Sequence, residues 1–333
     1  MNARLQRFFS GRESMTVPAW VNSLRNICSK QIVGQERALE RLLLAVACRG
    51  HVLLEGVPGL AKTRLASAFA KGLGLSFQRI SFTSDMLPGD ILGGPVYHPG
   101  TGDFRLRKGP LFHQVILADE FNRAPPRTHS ALLEAMQEQQ VTLGEETISL
   151  GDPFLVIATQ NPIETEGVYP LPEAELDRFL FRVVMEYPTR DEELDILKDH
   201  SKIGQPPCET ERIDPEVIAK LPRLVDQVHA SKALQAYIVD LIRATRQPDL
   251  VPALSPYEGL VRLGASPRAG VMLLQASRAH ALIRGRDHVL PEDVQAIFGD
   301  VLGHRLLLDW RAAERGLTVP KFLSDLVYSV SVV

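Results

Sequence analysis

Apolar residues in the first half of the chain fall alternately at helical spacing and in short runs. Leu39, Leu42, Leu43 and Val46 recur at i, i+3, i+4 and i+7, so the region from Pro18 to about Gly50 reads as helices with one buried stripe. His51 to Glu55 is a short apolar run. It ends in Gly56-Val57-Pro58-Gly59, after which a helical pattern runs through Leu65 and Phe69 to Gly72. The pattern is strand, glycine loop, helix. Further strand-like runs lie at Ser76 to Ser81, Val115 to Ala118, Phe154 to Ala158 and Phe181 to Val184. Separated by helical patterns, they predict a parallel five-stranded α/β sheet with helices on both faces.

Two stretches break the alternation. Tyr97 to Arg107 turns at Pro99-Gly100-Thr101-Gly102, and Val141 to Leu150 turns at Gly144-Glu145-Glu146; both have a period of two and read as β-hairpins. After Tyr187-Pro188 the β signal stops, and Lys202 to Pro215, with Gly204, Pro206 and Pro207, reads as a connection. A helical domain follows. Leu234, Tyr237, Ile238, Leu241 and Ile242 form one helical face, while Ser266-Pro267 and Leu290-Pro291-Glu292-Asp293 are helix starts. The expected division is a lead-in over 1–30, an α/β core over 31–188, a connection over 189–213 and an all-α domain over 214–333.

Composition narrows the function classes. A chain of 333 residues suggests two domains, and 45% hydrophobic with 23% charged residues is the usage of a soluble globular protein. The net charge of −3 provides no global field for a polyanion. Cys28, Cys48 and Cys208 are too scattered for a disulfide framework or a C-x-x-C metal pair, which fits a reducing cytoplasm. No apolar h-region lies in residues 1–20, and no run approaches a membrane span, so export and insertion are not expected.

The chemistry lies at the ends of the predicted strands. Gly56-Val57-Pro58-Gly59-Leu60-Ala61-Lys62-Thr63 has phosphate-loop spacing, with Ala61 where the second glycine belongs. Backbone N–H groups around Gly59 to Lys62 at a helix start can wrap a phosphate, Lys62 can reach its outer oxygens, and Thr63 can ligate Mg²⁺. Val115 to Ala118 ends in Asp119-Glu120, suited to a metal shell and to orienting a water, although an acidic pair at a strand end is on its own more often a solvated turn. Asn161, after Ala158-Thr159-Gln160, is either a polar amide for a γ-phosphate or the start of a turn before Pro162. Arg178 suits a phosphoryl charge or a surface ion pair. Arg268 stands second in a predicted helix, where the dipole disfavours a cation unless an anion is close.

Together these passages resemble the AAA+ ATPases, and specifically the MoxR family. The resemblance is carried by Val33-Gly34-Gln35-Glu36, Gly56 to Thr63, Leu87-Pro88-Gly89-Asp90, Lys108-Gly109-Pro110-Leu111-Phe112 and Ala118-Asp119-Glu120-Phe121-Asn122-Arg123-Ala124-Pro125-Pro126. Ala158 to Pro162, Leu171-Pro172-Glu173-Ala174, Leu176 to Phe179 and Ser266-Pro267-Arg268 extend it over about residues 32 to 305. It implies ATP and Mg²⁺ as ligands: Gly56, Pro58, Gly59, Leu60, Ala61, Lys62, Thr63 and Arg64 at the nucleotide, Val33 and Gly34 at adenine, and Thr63 with Asp119 at the metal. It further implies catalytic roles for Lys62, Glu120, Asn161 (sensor 1) and Arg178 (a finger acting in trans), with Arg268 as sensor 2. The inserts, near 83–112 and 140–152, would face the channel of a ring.

That ring would be a homo-oligomer, expected to be a hexamer. The resemblance also implies a chaperone-like role in maturing, assembling or metallating client proteins, often with a partner carrying a von Willebrand factor A-type domain. Two rivals are a DNA motor or loader, disfavoured by the neutral charge and the absence of aromatic-basic interleaving, and a nucleotide-gated scaffold without hydrolysis. Arg105, Arg107 and Lys108 read as a solvated hairpin face. His98, His113 and His129 are too scattered for zinc. Asn122, Arg123 and Arg127 are read as contacts to a neighbouring subunit or couplers to it.

Overall fold

The protein is described by a computed structural model covering residues 17–100, 102–198 and 215–332. Residues 1–16, Thr101, 199–214 and Val333 lie outside the described residues, and with them Gly204, Pro206, Pro207, Cys208 and most of the expected connection. The chain divides into two compact units. One comprises the described residues of Asn22–Phe179 and Val183–Ala219, the other those of Met1–Val21, Leu180–Arg182 and Lys220–Val333.

In chain order the first half contains helices α1 (Val17–Ser29) and α2 (Glu36–Ala47), strand β1 (Val52–Glu55), helix α3 (Lys62–Gly72), strand β2 (Phe77–Ser81) and helix α4 (Pro88–Leu92). Strands β3 (Gly93–His98), β4 (Asp103–Lys108) and β5 (Val115–Asp119) follow, then helix α5 (Pro126–Glu138) and strands β6 (Gln140–Leu143), β7 (Glu146–Ser149) and β8 (Leu155–Gln160). Helix α6 (Glu173–Leu176), strand β9 (Phe181–Val184) and helix α7 (Arg190–Lys198) complete it. Thus part of the stretch read as a connection is helical.

The sheet order is β2-β5-β8-β1-β9, with β2/β5, β5/β8 and β8/β1 parallel. Continuous apolar runs form its centre because both faces are covered. Val115 to Ala118 are fully buried, as are Val52 to Leu54 and Val156 to Ala158. Each valine, isoleucine or leucine among them stabilises the fold by about 1.5–3 kcal/mol relative to exposure. On one face Leu53, Ile116, Ala118, Val156 and Ala158 join Phe121, Leu132, Leu133 and Phe179 in a single cluster. Register then fixes the rim: Leu54 lies opposite Thr159 and Ala118 opposite Ala158, so β1, β5 and β8 finish level with one another.

Both hairpins form. β3 and β4 pair Tyr97 with Phe104 and Pro95 with Leu106, and the Tyr97 and Phe104 rings lie 5.4 Å apart. β6 and β7 pair Val141 with Ile148, and the hydroxyls of Thr142 and Thr147 lie 3.1 Å apart. The first hairpin is exposed along both strands except at Gly93 and Gly94, whereas the second buries Val141 and Leu143.

The second half contains helices α8 (Pro215–Gln227) and α9 (Lys232–Arg246), strand β10 (Val261–Leu263), helices α10 (Pro267–Ile283) and α11 (Pro291–Leu302), strand β11 (Leu307–Leu308), and helices α12 (Trp310–Glu314) and α13 (Val319–Ser329). The all-α expectation here omits one feature, an antiparallel pairing of β10 with β11. Runs of three and two residues are too short to carry a period of two. The start of α11 is held by Asp293, which reaches back to the Leu290 N–H and accepts further hydrogen bonds from His280 and Arg286. Burial alone would raise this carboxyl's pKa, but these donors override it and hold it far below the ordinary carboxylate range.

His51 locks β1 to its surroundings. Its Nδ1 accepts from the Val156 N–H at 3.0 Å, and its Nε2 donates to the Met136 carbonyl at 3.1 Å. Burial pushes its pKa down to about 4. The folded ring therefore stays neutral where the unfolded one charges, and its contribution is fully present above pH 6.5 and lost as pH falls from 6.5 towards 4. The span corresponds to about 3 kcal/mol. Urea unfolding across this window is expected to show that loss, and His51→Gln, which keeps one acceptor and one donor, to flatten it; an unchanged pH slope would count against the assignment.

Candidate functional site

The loop Gly56 to Ala61 joins the buried strand β1 to the half-buried start of α3. A Cβ on Gly56 would lie 3.1 Å from both Leu60 Cδ1 and Met185 Cβ, so a larger residue would crowd the point where the loop leaves the sheet. Gly59, at φ +92°, faces open space. Ala61 sits in the left-handed region at φ 57°, ψ 26°, the conformation for which a glycine is usual, and it serves as the N-cap of α3. It makes no side-chain cap, and no acid occupies the first turn of this 11-residue helix. The N-terminal N–H groups and the positive end of the dipole thus lack an internal anion, as an anion site requires.

Lys62 folds over the loop. Its Nζ donates to the Gly56 carbonyl at 2.6 Å. Burial lowers its pKa, while Asp119, Glu120 and Glu164 act in the opposite direction. Those three carboxylates are therefore near enough to Lys62 to act on its charge, although two follow from the end of β5 and the third from the loop beyond β8. Asp119, at the end of β5, accepts from Thr159 Oγ1 at 2.7 Å through Oδ1. Its Oδ2 accepts from Arg79 of β2 at 2.7 and 3.0 Å. The same Thr159 hydroxyl accepts from the Glu120 N–H at 2.9 Å, fixing Glu120 in a left-handed conformation at φ 55°.

Beyond β8, Asn161 is buried, and its Nδ2 donates to Glu164 Oε1 at 2.8 Å. Glu164 Oε2 accepts from Arg123 Nη2 at 2.7 Å, and Arg123 Nε lies 2.9 Å from Glu120 Oε2. Hydrogen bonds from Arg123 and Asn161 hold the Glu164 pKa below the usual carboxylate range. Sequence reasoning had brought Lys62, Thr63, Asp119, Glu120 and Asn161 to one rim. It missed Arg79, Thr159 and Glu164. Arg79 is one polar residue in an edge strand, and only the spacing Asn161-Pro162-Ile163-Glu164, a turn returning an acid beside an amide, could have signalled the last. Arg123 pairs within its own chain, and the backbone carbonyl of buried Asn122 accepts from the Tyr169 N–H at 2.7 Å.

The remaining expected residues are placed as follows. Val33 and Gly34 lie between α1 and α2, and a Cβ on Gly34 would lie 2.9 Å from the Glu192 carboxyl carbon of α7. Arg64 Nη2 donates to the Gln31 carbonyl at 2.9 Å. Arg178 Nε donates to Gln137 Oε1 of α5 at 2.9 Å. Arg268 is exposed at the second position of α10 in the other unit. No helix among the described residues is long and apolar enough to cross a membrane, and they contain no cluster of three metal-ligating residues of the His, Cys, Asp or Glu type.

The description "ATPase family associated with various cellular activities (AAA)" belongs to the family whose profile matches residues 51–181, and an AAA lid domain matches residues 258–325. Chaperone MoxR1 of Mycobacterium tuberculosis is 45% identical over 282 residues, covering 84% of this chain and 74% of that protein. The chain belongs to the MoxR family of AAA+ ATPases. Another relative is the uncharacterized protein YeaC of Bacillus subtilis, 43% identical over 91% of this chain and 92% of its own length. A crystal structure of a candidate ATPase from Cytophaga hutchinsonii superposes with a TM-score of 0.88 at 38% identity, covering 95% of this chain and 96% of that one.

For a MoxR-family chain, the rim residues fit the nucleotide and metal that such ATPases imply. The uncapped start of α3 fits a phosphate, and Thr63 with Asp119 supplies the hard oxygen donors that Mg²⁺ takes. Ala61 has the left-handed backbone of the usual glycine, so the loop keeps its shape at a local cost of about 1–2 kcal/mol. Ala61→Gly is expected to leave nucleotide affinity unchanged and stability equal or raised by up to about 1 kcal/mol, whereas Ala61→Val destabilises by more than about 1 kcal/mol. Chemical unfolding of the three chains measures this, and equal stability of the valine variant would contradict the strained backbone.

Proposed function

We propose that this MoxR-family chain is a Mg²⁺-dependent ATP hydrolase, and that water attacking the γ-phosphate is activated at the rim of the sheet. The observation that carries the reading is the convergence of Lys62 with Asp119, Glu120 and Glu164, from separate strands and loops, above an uncapped helix start. Lys62 would leave the Gly56 carbonyl for the phosphate oxygens and offset their charge. Glu120, with one carboxylate oxygen beside Arg123, would present the other to the attacking water and accept its proton. Asn161 would direct its second Nδ2 hydrogen to the γ-phosphate or the water. Thr63 and Asp119 would hold Mg²⁺, which supplies charge stabilisation when bound.

Arg178, held by Gln137 through Nε, is offered as the finger that completes a neighbouring subunit's site, which makes a ring the working unit. A hexamer is our reading of its size. The relative named Chaperone MoxR1 supports a chaperone-like role. We assign the turnover cycle to remodelling client proteins during maturation, assembly or metal insertion, with a von Willebrand factor A-type partner, in the cytoplasm. Val33 and Gly34 at adenine and Arg268 at a phosphate complete the binding assignment.

Lys62→Ala is expected to abolish nucleotide binding, and Glu120→Gln to bind ATP while losing at least about a hundredfold in turnover. A phosphate-release assay beside a binding titration measures both, and hydrolysis undiminished in Glu120→Gln would favour a different base. Arg178→Ala should bind ATP and hydrolyse it poorly, with activity partly restored when its subunits are mixed with Glu120→Gln subunits. Mixing that restores nothing would count against a finger acting in trans.

A further inference from the structure

Four side chains form one hydrogen-bonded and ion-paired chain across the rim: Asn161, Glu164, Arg123 and Glu120. Its links are 2.8 Å from Asn161 Nδ2 to Glu164 Oε1, 2.7 Å from Arg123 Nη2 to Glu164 Oε2, and 2.9 Å between Arg123 Nε and Glu120 Oε2. At the two ends are the residues read above as γ-phosphate reader and base. Of the two in the middle, Arg123 has so far only a place beside Glu120, and Glu164 only an influence on the charge of Lys62. Asn161 is buried, while the side chains of Glu164 and Arg123 remain partly exposed, at 29% and 41%.

We propose that Glu164 is a positioning residue that sets Asn161 and Glu120 against the same γ-phosphate and water. The argument begins with the amide. A carboxamide can turn end for end, exchanging two N–H donors for an acceptor of nearly identical shape. Opposite a carboxylate the exchange is forbidden, because the Asn161 oxygen would then face the Glu164 oxygen, acceptor against acceptor. Glu164 thus keeps the Asn161 NH₂ on its own side, where one hydrogen binds Oε1 and the second remains for a phosphate oxygen or a water. The Asn161 Oδ1 is meanwhile held by the Ile163 N–H at 3.3 Å.

The second oxygen of Glu164 controls the other end of the chain. Arg123 presents a planar fork, and with one Nη on Glu164 the orientation of its Nε beside Glu120 follows from the geometry of the guanidinium. With the Glu120 backbone fixed through Thr159, this contact, an ion pair in which Nε makes no aligned hydrogen bond, biases where the remaining carboxylate oxygen of the half-exposed Glu120 points. One carboxylate therefore fixes the donor that would meet the γ-phosphate and steers the acceptor that would meet the water. Groups so coupled respond to mutation as a unit, and a displacement of an ångström at such a site costs far more in rate than in binding.

The inference rests on the reading of Glu120 and Asn161 in ATP hydrolysis, and the test separates the two. In the full-length chain, Glu164→Ala is expected to lower kcat about ten- to a hundredfold. It should weaken a non-hydrolysable ATP analogue about fivefold, as the loss of one hydrogen bond to the γ-phosphate predicts. ADP affinity should change less than that of the ATP analogue, because the hydrogen bonds of the chain lead to the terminal phosphate while Glu164 acts on Lys62 only through its charge, and the melting temperature should be unchanged, because the chain lies at a partly exposed rim. Glu164→Gln, which keeps a single acceptor, should fall less than Glu164→Ala. Arg123→Gln should lower kcat, and the double variant Glu164→Ala/Arg123→Gln should be no slower than the worse single one within about threefold. Equal loss of ADP and ATP-analogue affinity, unchanged kcat, or single effects that multiply would overturn the proposal. Lys62→Ala that still bound nucleotide would sink the underlying reading, whereas binding in the wild type with no response to Glu164→Ala would sink the positioning role alone.

Discussion

Carboxylates crowded at the end of a parallel sheet must be compensated, and the architecture of the first unit supplies the means. Asp119, Glu120 and Glu164 all act on Lys62, and each has further hydrogen-bonding or ionic partners: Arg79 and Thr159 for Asp119, Arg123 for Glu120, Arg123 and Asn161 for Glu164. Without cations, the mutual repulsion of three carboxylates at one rim would be left uncompensated. The level ends of β1, β5 and β8 produce both the crowding and its remedy. They also place Lys62, first residue of the helix that follows β1, where its charge feels acids delivered after β5 and β8.

The compensation has a consequence for binding. An anionic ligand entering this rim meets cations already committed to side chains or, for Lys62, to a backbone carbonyl at 2.6 Å. Arg79 likewise occupies one oxygen of Asp119, an atom that a metal would need. Binding is thus an exchange of partners, and its net free energy is a difference between two well-satisfied states. An uncapped helix start with no acid in its first turn stands apart, since its N–H groups surrender no protein partner. On the proposed reading, affinity for phosphate would be drawn most cheaply from those donors.

How far the sequence could reveal this follows from where each signal resides. The buried strands were legible because a sheet covered on both faces demands unbroken apolar runs, and Val115 to Ala118 is such a run. The glycine loop was legible because Gly56 and Gly59 follow an apolar run at phosphate-loop spacing, and a Cβ on Gly56 would crowd Leu60 and Met185. Ala61 broke the expected pattern while adopting the conformation that the pattern encodes, which a string of letters does not reveal. The pairing of β10 with β11 escaped because a two-residue strand has no period. Arg79 and Glu164 escaped for a different reason: their meaning depends on strand register and loop return, which place them beside partners forty residues distant or across a turn.

The two hairpins illustrate the limit of pattern from the opposite side. Both have alternating sequences and both form, yet alternation means different things in each. In β6–β7 it sorts Val141 and Leu143 inward from exposed Gln140 and Thr142. In β3–β4 cross-strand pairing gathers Pro95, Tyr97, Phe104 and Leu106 on one face and Val96, Arg105 and Arg107 on the other, and in this chain both faces of that hairpin meet solvent. A two-stranded ribbon of this kind recovers little hydrophobic stabilisation from its own folding, so its order must come from its anchorage. That anchorage is close backbone packing at its base, where a Cβ on Gly109 would lie 2.4 Å from the Ile91 carbonyl oxygen. The period of two therefore reports that a strand has two faces, and burial has to be read from what surrounds them.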